Sequence, residues 1–284
     1  MANPSSATLY LVATPIGNLE DITLRALRVL KEVDVIACED TRQSQKLLNH
    51  YGITTRTVSY HEHNERERAA ELLAQLEKGA KIAVITDAGM PGISDPGFRL
   101  TSLAVEHGIR VEPIPGASAF LSALAASGLP TDSFRFGGFL PAKSGQRRQA
   151  LASIAESPCP VAFYEAPHRL IGALKDVVAE LGAARPVVVA REVTKIHEEF
   201  LRGKAADVLA ALEARGDVKG EITLLIGKAE ASQKSEVTSR VGIRERVDQI
   251  MREENIDDKA ALKKVARELG ISKSEAYREL QRSK

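Results

Sequence analysis

The sequence predicts an α/β fold with two α/β/α domains and a short C-terminal helical domain. Three observations support this prediction. Short β-rich runs alternate with helical patterns of about 10 to 15 residues, which is typical of crossover units on a mostly parallel sheet. The alternation starts again after "SGLPTDS", and beyond the polar segment "KAEASQKSEVTSR" the pattern is only helical. We therefore expect domains at 1–116 and 117–232, then a linker and helical tail at 233–284.

The first domain is predicted to alternate strands with helices. Its strands are expected at 8–13, 34–38, 81–86 and 110–114, and helices at 23–32, 41–51, 64–78, 96–107 and 117–127. Asp95 is expected to cap helix 96–107, because Asp is a good N-cap residue and Pro96 suits the first helical position. Gly108 is expected to end that helix.

The second domain is predicted to repeat the alternation with more strands. Its strands are expected at 134–139, 161–164, 186–192, 198–202 and 221–226, and its helices at 146–155, 167–181 and 205–215. In the tail, "KAALKKVARELGISKSEAYREL" contains a helix, a Gly-containing turn and a second helix beginning near Ser272. This order resembles a helix-turn-helix.

Composition excludes several classes of protein. Of the 284 residues, 44% are hydrophobic, and no apolar run approaches the ~20 residues that span a bilayer. The N-terminus lacks the features of a signal peptide, so we expect a cytoplasmic protein without a membrane partner. Two distant cysteines suggest neither a disulfide framework nor a zinc site. The net charge is only +1, but residues 240–284 carry 12 Lys/Arg against 9 Asp/Glu.

The loop "ITDAGMPGISDPG", residues 85–97, follows an apolar strand. In parallel α/β sheets, ligands bind outside the carboxyl ends of the strands. Glycines at 89 and 92 allow the backbone to approach a ligand closely. The loops "ATPIGN" and "PIPGAS" follow two other strands, so the three loops together predict one crevice. Because the sequence has no phosphate-binding glycine motif of either common type, a cofactor with an adenosine but no phosphate would fit better.

Nine ordered segments carry a family resemblance. They are "LVATPIGNLEDITLRAL", "CEDTR", "YHEHNE", "ITDAGMPGISDPG", "PIPGAS", "GFLP", "FYEAPHRL", "REVTK" and "GEITLLI". Together they resemble the tetrapyrrole methylase superfamily, and within it the branch that methylates the 2′-oxygen of a cytidine in 16S ribosomal RNA. The resemblance implies S-adenosylmethionine bound in a cleft between two α/β domains, a homodimer, and a target in the decoding region of the small subunit.

The resemblance also implies which residues contact the cofactor. These are Pro15, Asp87, Gly89, Ile93, Ser94, Ser118 and Ala119 from the first half of the chain, and Tyr164, Gly220, Glu221 and Ile222 from the second. Relatives that act on tetrapyrroles usually carry a tighter Gly-Asp-Pro where this chain has the longer segment 87–91.

Proton removal from a ribose hydroxyl calls for a general base, which typically contributes about 10²–10⁴-fold. Glu165, His168 and Lys195 are the candidates for this role, while Arg169 and Arg191 would hold phosphate. Each has a structural alternative as well. His168 could simply lie at a helix N-terminus, and Arg191 could form a local ion pair with Glu192.

Basic segments indicate where RNA would bind. Lys143, Arg147 and Arg148 surround a Ser-Gly pair and are expected to form a mobile basic flap, with an ordinary solvated loop as the alternative. His61 and His63 invite a metal interpretation, but without an evident third ligand we favour substrate binding. Tail residues expected to contact phosphate include Lys263, Lys264, Arg267 and Lys273. A helical appendage for packing or dimerisation is the alternative for this tail.

Two other functions stay open at this point. The first is a small-molecule or protein methylase of the same superfamily, acting on a tetrapyrrole or on a diphthamide-type modified histidine. The second is a non-catalytic RNA-binding factor for ribosome assembly. Basic residues in the tail and at 143–148 favour RNA, because a small macrocycle needs no phosphate clamp. Whether naked rRNA or the 30S subunit is the substrate also stays open.

Overall fold

The computed structural model describes residues 7–229, 243–254, 256–268 and 276 of the chain. The chain divides into two compact units, Met1–Lys228 and Ala229–Lys284. The first unit contains two five-stranded sheets, which confirms the α/β class. The predicted domain limits at 116 and 232 stay a prediction. No helix in the described part of the chain is long and apolar enough to cross a membrane.

The first sheet is entirely parallel, with strand order β3-β2-β4-β1-β5. Its strands are β1 (Thr8–Val12), β2 (Val35–Cys38), β3 (Thr57–Ser59), β4 (Lys81–Ile85) and β5 (Arg110–Ile114). Its helices are α1 (Leu24–Glu32), α2 (Thr41–His50), α3 (Glu65–Glu77) and α4 (Phe98–Glu106), and a short 3-10 helix covers Leu19–Asp21. Sequence patterning missed β3, which has only three residues.

Both faces of the first sheet are buried, which explains the continuous apolar runs of its strands. Along β4, Ile82 and Val84 pack with α3 and α4, whereas Ala83 and Ile85 pack with α1 and α2. Because alternate strand residues point to opposite faces, one apolar run contributes to two cores. Because these strands are parallel, the carboxyl ends of β1, β4 and β5 lie at the same edge of the sheet.

The second sheet is mixed, with strand order β6-β7-β10-β8-β9. Its strands are β6 (Arg135–Phe139), β7 (Val161–Glu165), β8 (Pro186–Arg191), β9 (Glu199–Lys204) and β10 (Ile222–Ile226). Only β6 and β7 pair in parallel, because β10 runs antiparallel to both of its neighbours and β8 and β9 form a hairpin. The helices of this part are α5 (Ala119–Ala125), α6 (Ser144–Ala152), α7 (Pro167–Leu181) and α8 (Ala205–Arg215).

Helix α5 follows a strand of the first sheet but packs on the second. Its Ala123 and Leu124 share an apolar cluster with Ala162 of β7 and Leu225 of β10, and Ile16 from the loop after β1 joins them. The opposite face of the second sheet is covered by α6, α7 and α8. The connection from β5 to α5 therefore passes from one sheet to the other.

Two local predictions were wrong. Asp95 does not cap α4, because Gly97 with φ 140° occupies the N-cap position and the helix begins at Phe98. The expected mobile flap at 143–148 is instead the start of α6, in which Arg147 is buried with 7% of its surface exposed. An ion pair with Asp176, described below, holds Arg147 in this packed position.

The tail contains two described helices, α9 (Ile243–Glu254) and α10 (Asp258–Glu268). They share a small core that includes Val247, Ile250, Leu262 and Val265. Lys263 and Lys264 are exposed on α10, and Arg267 lies on the same helix. Lys273 and the predicted helix from Ser272 lie outside the described residues.

Candidate active site

A cavity of about 880 Å³ is lined by loops that belong to both sheets. From the first sheet it takes the loops that follow β1, β4 and β5, and from the second the carboxyl ends of β6 and β7 and the start of β10. Cavities that bind small molecules typically measure about 300–1,000 Å³. The crevice predicted from three loops is therefore present, and it has the size of a ligand site.

Main-chain hydrogen bonds tie the loops after β1 and β4 together. The Thr14 amide donates to the Gly89 carbonyl at 2.9 Å, and the Gly89 amide donates back to the Thr14 carbonyl at 3.1 Å. The Thr14 hydroxyl donates to the carbonyl of Thr86 at 3.1 Å. Gly89 has φ 86°, a conformation that disfavours residues with a side chain. This floor of the cavity is consequently fixed by backbone rather than by side chains.

The third loop approaches β1 very closely. The amide of Ala13 donates to the carbonyl of Ile114 at 3.1 Å, which continues the pairing of β1 with β5 past the strand end. A Cβ atom at Gly116 would lie only 2.9 Å from the Cβ of Ala13. Glycine is therefore required at position 116 by close approach, and this position also lines the cavity.

Nine of the residues expected to contact the cofactor line this cavity. They are Gly89, Ile93, Ser94, Ser118, Ala119, Tyr164, Gly220, Glu221 and Ile222. Two others do not. Pro15 is buried beside the wall residue Ile16, and Asp87 accepts a hydrogen bond at 3.3 Å from the amide of Asp40, which precedes α2. Asp87 therefore fastens the loop after β4 to the loop after β2.

Sequence analysis missed the role of Asp95, which lines the cavity as a half-buried residue. Burial, reinforced by the charges of Glu39 and Asp87, raises its pKa to about 7. Among the described residues, none forms a hydrogen bond or ion pair with its carboxylate. From the sequence alone, Asp95 is interpreted as a helix N-cap. Only the folded structure shows that its side chain lines the cavity instead. Its carboxylate can exchange a proton near neutral pH.

Aromatic side chains form another part of the wall, of which sequence analysis named only Tyr164. Phe120, Phe139 and Tyr164 line the cavity, and Tyr164 contacts the other two rings. Burial raises the pKa of Tyr164, so its hydroxyl stays protonated at neutral pH. The segment "GFLP" was part of the family resemblance, but no pattern in it indicated that Phe139 would be exposed.

The three candidate general bases differ sharply in their surroundings. Glu165 lines the cavity and is only 3% exposed. One of its oxygens, Oε1, accepts a hydrogen bond from the amide of Ala166 at 2.7 Å and lies 3.0 Å from Nε of Arg169. Its other oxygen, Oε2, is buried without a hydrogen-bond partner in the described part of the chain. His168 is exposed on α7 and does not line the cavity.

Lys195 is held by two carboxylates. Its Nζ lies 2.9 Å from Oε1 of Glu192 and 3.2 Å from Oε1 of Glu221. Burial acts to lower the pKa of Lys195, but the hydrogen bond to Glu192 and the charge of Glu221 outweigh it and raise the pKa overall. A protonated amine cannot accept a proton, so this geometry argues against Lys195 as the base.

The predicted phosphate-binding residues are not equally available. Arg147 is fixed by Asp176, whose Oδ2 lies 2.6 Å from Nη2 and accepts from Nε at 2.7 Å. Arg191 pairs with Glu199 at 3.2 Å rather than with its neighbour Glu192. Arg148 pairs with Glu180 at the surface, and Lys143 is exposed just before α6. Lys143 is thus exposed and, among the described residues, has no ion-pair partner.

The two histidines lie together after β3, away from the cavity wall. The rings of His61 and His63 are 5.9 Å apart in an edge-on arrangement, and His63 approaches Glu62 at 3.7 Å. Nδ1 of His61 is buried and makes no hydrogen bond to any described residue. No group of three potential metal ligands was found among the described residues.

Comparison with known proteins identifies what this architecture resembles. Residues 8–209 match the family described as Tetrapyrrole (Corrin/Porphyrin) Methylases. The ribosomal RNA small subunit methyltransferase I of Halalkalibacterium halodurans is 48% identical over 277 residues, which is 95% of this chain and 93% of that protein. The protein of the same name from Escherichia coli O157:H7 is 50% identical over 226 residues, or 79% of each chain.

A solved structure supports the fold independently. Uroporphyrin-III C-methyltransferase from Thermus thermophilus, complexed with S-adenyl homocysteine, superposes with a TM-score of 0.55 at 21% identity. The match covers 78% of this chain and 98% of that one. At this identity the similarity extends to the fold alone.

Proposed function

This chain belongs to the tetrapyrrole methylase family, and we propose that it transfers a methyl group from S-adenosylmethionine to the 2′-oxygen of a cytidine ribose in small-subunit ribosomal RNA. The main structural support is the cavity, which is lined by nine of the residues expected to contact the cofactor. Relatives that are 48–50% identical over most of their length bear the ribosomal RNA name, which supports RNA as the acceptor.

The residues of the cavity suit S-adenosylmethionine in shape and charge. Its volume of about 880 Å³ leaves room for the cofactor and part of a second substrate. The main chain at Gly89 and at 116–119 would hold the adenosine, with Ile222 on the opposite side. Asp95 and Glu221 provide negative charge for the cationic part of the cofactor. When bound, S-adenosylmethionine supplies an activated methyl group on a positively charged sulfur.

The protein must then orient the ribose, exclude water and remove one proton. We assign the proton to a carboxylate oxygen of Asp95, which is unpaired among the described residues and has a pKa of about 7. That pKa is suited to a general base near neutral pH. Glu165 is the second carboxylate on the wall, and its Oε1 is already engaged by Ala166 and Arg169. Glu165 and His168 stay as the alternatives.

Cations outside the cavity would position the RNA. Lys143 and Arg148 lie at the start of α6, and Lys263 and Lys264 are exposed on α10. We propose that these side chains contact phosphates, because such contacts fix register without reading sequence. Contacts from His61, His63, Arg169, Arg191, Arg267 and Lys273 are also part of the proposal. Arg147 is omitted, since its guanidinium is occupied by Asp176 and its side chain is only 8% exposed. The paired side chains of Arg148, Arg169 and Arg191 are 55%, 25% and 26% exposed.

Several finer points belong to the same proposal. We propose a homodimer that acts in the cytoplasm on a cytidine in the decoding region, either in naked rRNA or in the 30S subunit. We also propose that residues 1–116 and 117–232 act as two lobes that enclose the cofactor.

The test combines cofactor binding with product mapping. Calorimetry should detect binding of S-adenosylmethionine, and the purified protein should methylate small-subunit rRNA from a strain that lacks the enzyme. Reverse transcription at limiting nucleotide should then show a single new pause. Cofactor binding with methylation of a tetrapyrrole or a modified histidine instead of rRNA would contradict the assignment. Binding of rRNA without cofactor binding or methylation would indicate an assembly factor.

A further inference from the structure

Aromatic side chains are unusually concentrated at the cavity. The chain has seven phenylalanines, five tyrosines and no tryptophan. Phe120, Phe136, Tyr164 and Phe139 nevertheless form one continuous row of ring contacts, and Phe136 is the one member that does not line the cavity. In a chain that is only 4% aromatic, this clustering calls for a physical reason.

One end of this row of rings is packed against the protein, and the other end is exposed. Phe120 and Phe136 stack with ring centres 4.3 Å apart and pack against the apolar cluster between α5 and the second sheet. Tyr164 lies 5.0 Å from Phe136 and 5.5 Å from Phe139. Phe139 is 57% exposed, so more than half of its surface remains available. Partly buried rings therefore support an exposed one.

The backbone holds Phe139 in this exposed position. Strand register between β6 and β7 shifts between Phe136 and Phe139, and Gly138 has φ 67°. A Cβ atom at Gly137 would lie 2.3 Å from the ring of Phe163, so that position cannot carry a side chain without rearrangement. The next residue, Leu140, is buried. Bulges of this kind re-aim a side chain and are common beside active sites.

We propose that Phe139, supported by Tyr164, is the stacking platform for the nucleobase of the acceptor nucleotide. This inference rests on the proposed function and adds a base-binding subsite to it. Proteins that recognise single-stranded loops, bulges and ends of RNA commonly stack the unstacked bases on aromatic side chains. A ribose placed in the cavity carries its base to the rim of the same cavity.

Charge beside the platform also suits a nucleotide. Lys143 follows Phe139 by four positions and is exposed at the N-cap of α6. Sites that bind single-stranded nucleic acid combine stacking with positive charge, and we expect Lys143 to supply that charge from the same segment.

The adenine of the cofactor is the competing occupant. The glycine-containing loops that would hold adenosine follow β4 and β5 of the first sheet, whereas Phe139 ends an edge strand of the second sheet. A cofactor is normally enclosed, but Phe139 is more than half exposed. These positions favour the acceptor base, and measurement of both affinities separates the two occupants.

The test uses Phe139→Ala, Phe139→Trp and the matched control Phe98→Ala. Phe98 is 76% exposed and does not line the cavity. Stacking is worth about 1–3 kcal/mol per base, so Phe139→Ala should lower kcat/KM for unmethylated small-subunit rRNA by about 5- to 150-fold. Phe139→Trp should restore most of this loss, and affinity for S-adenosylmethionine should be unchanged in all three variants.

Three results would overturn the platform. These are a loss of cofactor affinity in Phe139→Ala, an altered sedimentation coefficient that shows Phe139 at an interface between copies, or a kcat/KM equal to that of Phe98→Ala. If the wild-type protein itself fails to methylate rRNA, the proposed function has failed instead. If wild type is active and only the comparison of variants fails, the platform alone is wrong.

Discussion

Arg169 follows Glu165 by four positions, and its Nε is 3.0 Å from Oε1 of that carboxylate. The Glu165 side chain has no exposed surface, so Arg169 is the cation that accompanies a buried charge on the cavity wall. This pair joins the end of β7 to the first turns of α7. The pair therefore contributes to the packing of the second sheet and also fixes a residue of the cavity wall.

Removing Arg169 alone should lower the free energy of unfolding more than removing both Arg169 and the charge of Glu165. Arg169→Ala leaves the Glu165 carboxylate buried and uncompensated, and we expect a loss of about 3 kcal/mol in the free energy of unfolding. The double variant Glu165→Gln, Arg169→Ala should recover much of that loss, because no buried charge remains. Urea unfolding of the two single variants and the double variant measures this coupling. Additive effects would show that the two side chains act independently.

Gly89 should be required for cofactor binding through its backbone conformation. An alanine at φ 86° costs about 1–2 kcal/mol, although its Cβ would make only ordinary contacts, the nearest at 3.7 Å with Ile16. Gly89→Ala should therefore both destabilise the protein and weaken binding of S-adenosylmethionine. Gly108 has φ 68° and open space where a Cβ atom would lie, so Gly108→Ala is the matched control. Equal cofactor affinity in the two variants would contradict the role given to Gly89.

Asp95 should set the acid side of the pH–rate profile. Its pKa of about 7 means that a growing fraction is protonated as pH falls through neutrality, so turnover should decline there. A bound cation favours the carboxylate, which should move the break in kcat below pH 7 in the cofactor complex. Asp95→Asn should lose turnover and the acid break while retaining its secondary structure. An unchanged profile in Asp95→Asn would transfer the role to Glu165 or His168.

Asp95 should also make the free energy of unfolding depend on pH, in the direction opposite to that of most aspartates. Its pKa is raised on folding from 3.8, so the folded state binds the proton more tightly than the unfolded state. The resulting stabilisation is complete below about pH 4 and is lost as pH rises through 7. Asp95→Asn should therefore become more stable than wild type between pH 5 and 8, as measured by thermal unfolding. A stability difference that does not vary with pH would refute this.

Variants of Arg147 and Lys143 should distinguish a cation that stabilises the fold from one that binds RNA. Arg147→Ala leaves Asp176 without its buried partner and should cost about 3 kcal/mol of stability. Lys143→Ala should leave the unfolding free energy unchanged within about 0.5 kcal/mol, since Lys143 is exposed. It should instead weaken rRNA binding and reduce the salt dependence of log Kd by about one counterion. An RNA affinity that Lys143→Ala leaves unaltered would remove this residue from the interface.

The fold class could be predicted from local sequence because its signals are local. Alternating strand and helix patterns in the first 228 residues found every strand except β3, which has three residues. Parallel strands buried on both faces, as in β4, are apolar throughout and easy to recognise. The mixed order of the second sheet was not predictable in this way, because strand direction depends on which strands become neighbours.

The cavity shows the same division between local and long-range information. Glycines and prolines at three strand ends indicated the crevice, because backbone conformations with positive φ have their own residue preferences. Those residues could be read from the sequence without knowing what they contact. The general location of the site was consequently determined by the sequence alone.

Only the tertiary structure decided what the charged and aromatic side chains can do. Nothing in the sequence around Asp95, Arg147 or Lys195 distinguishes their roles. In the described part of the chain, Asp95 lines the cavity without a partner, whereas Arg147 and Lys195 are held by carboxylates. Phe139 is exposed because β6 bulges against β7. Burial and charge pairing arise between residues that are distant along the chain, so their effects on pKa and availability exist only after folding.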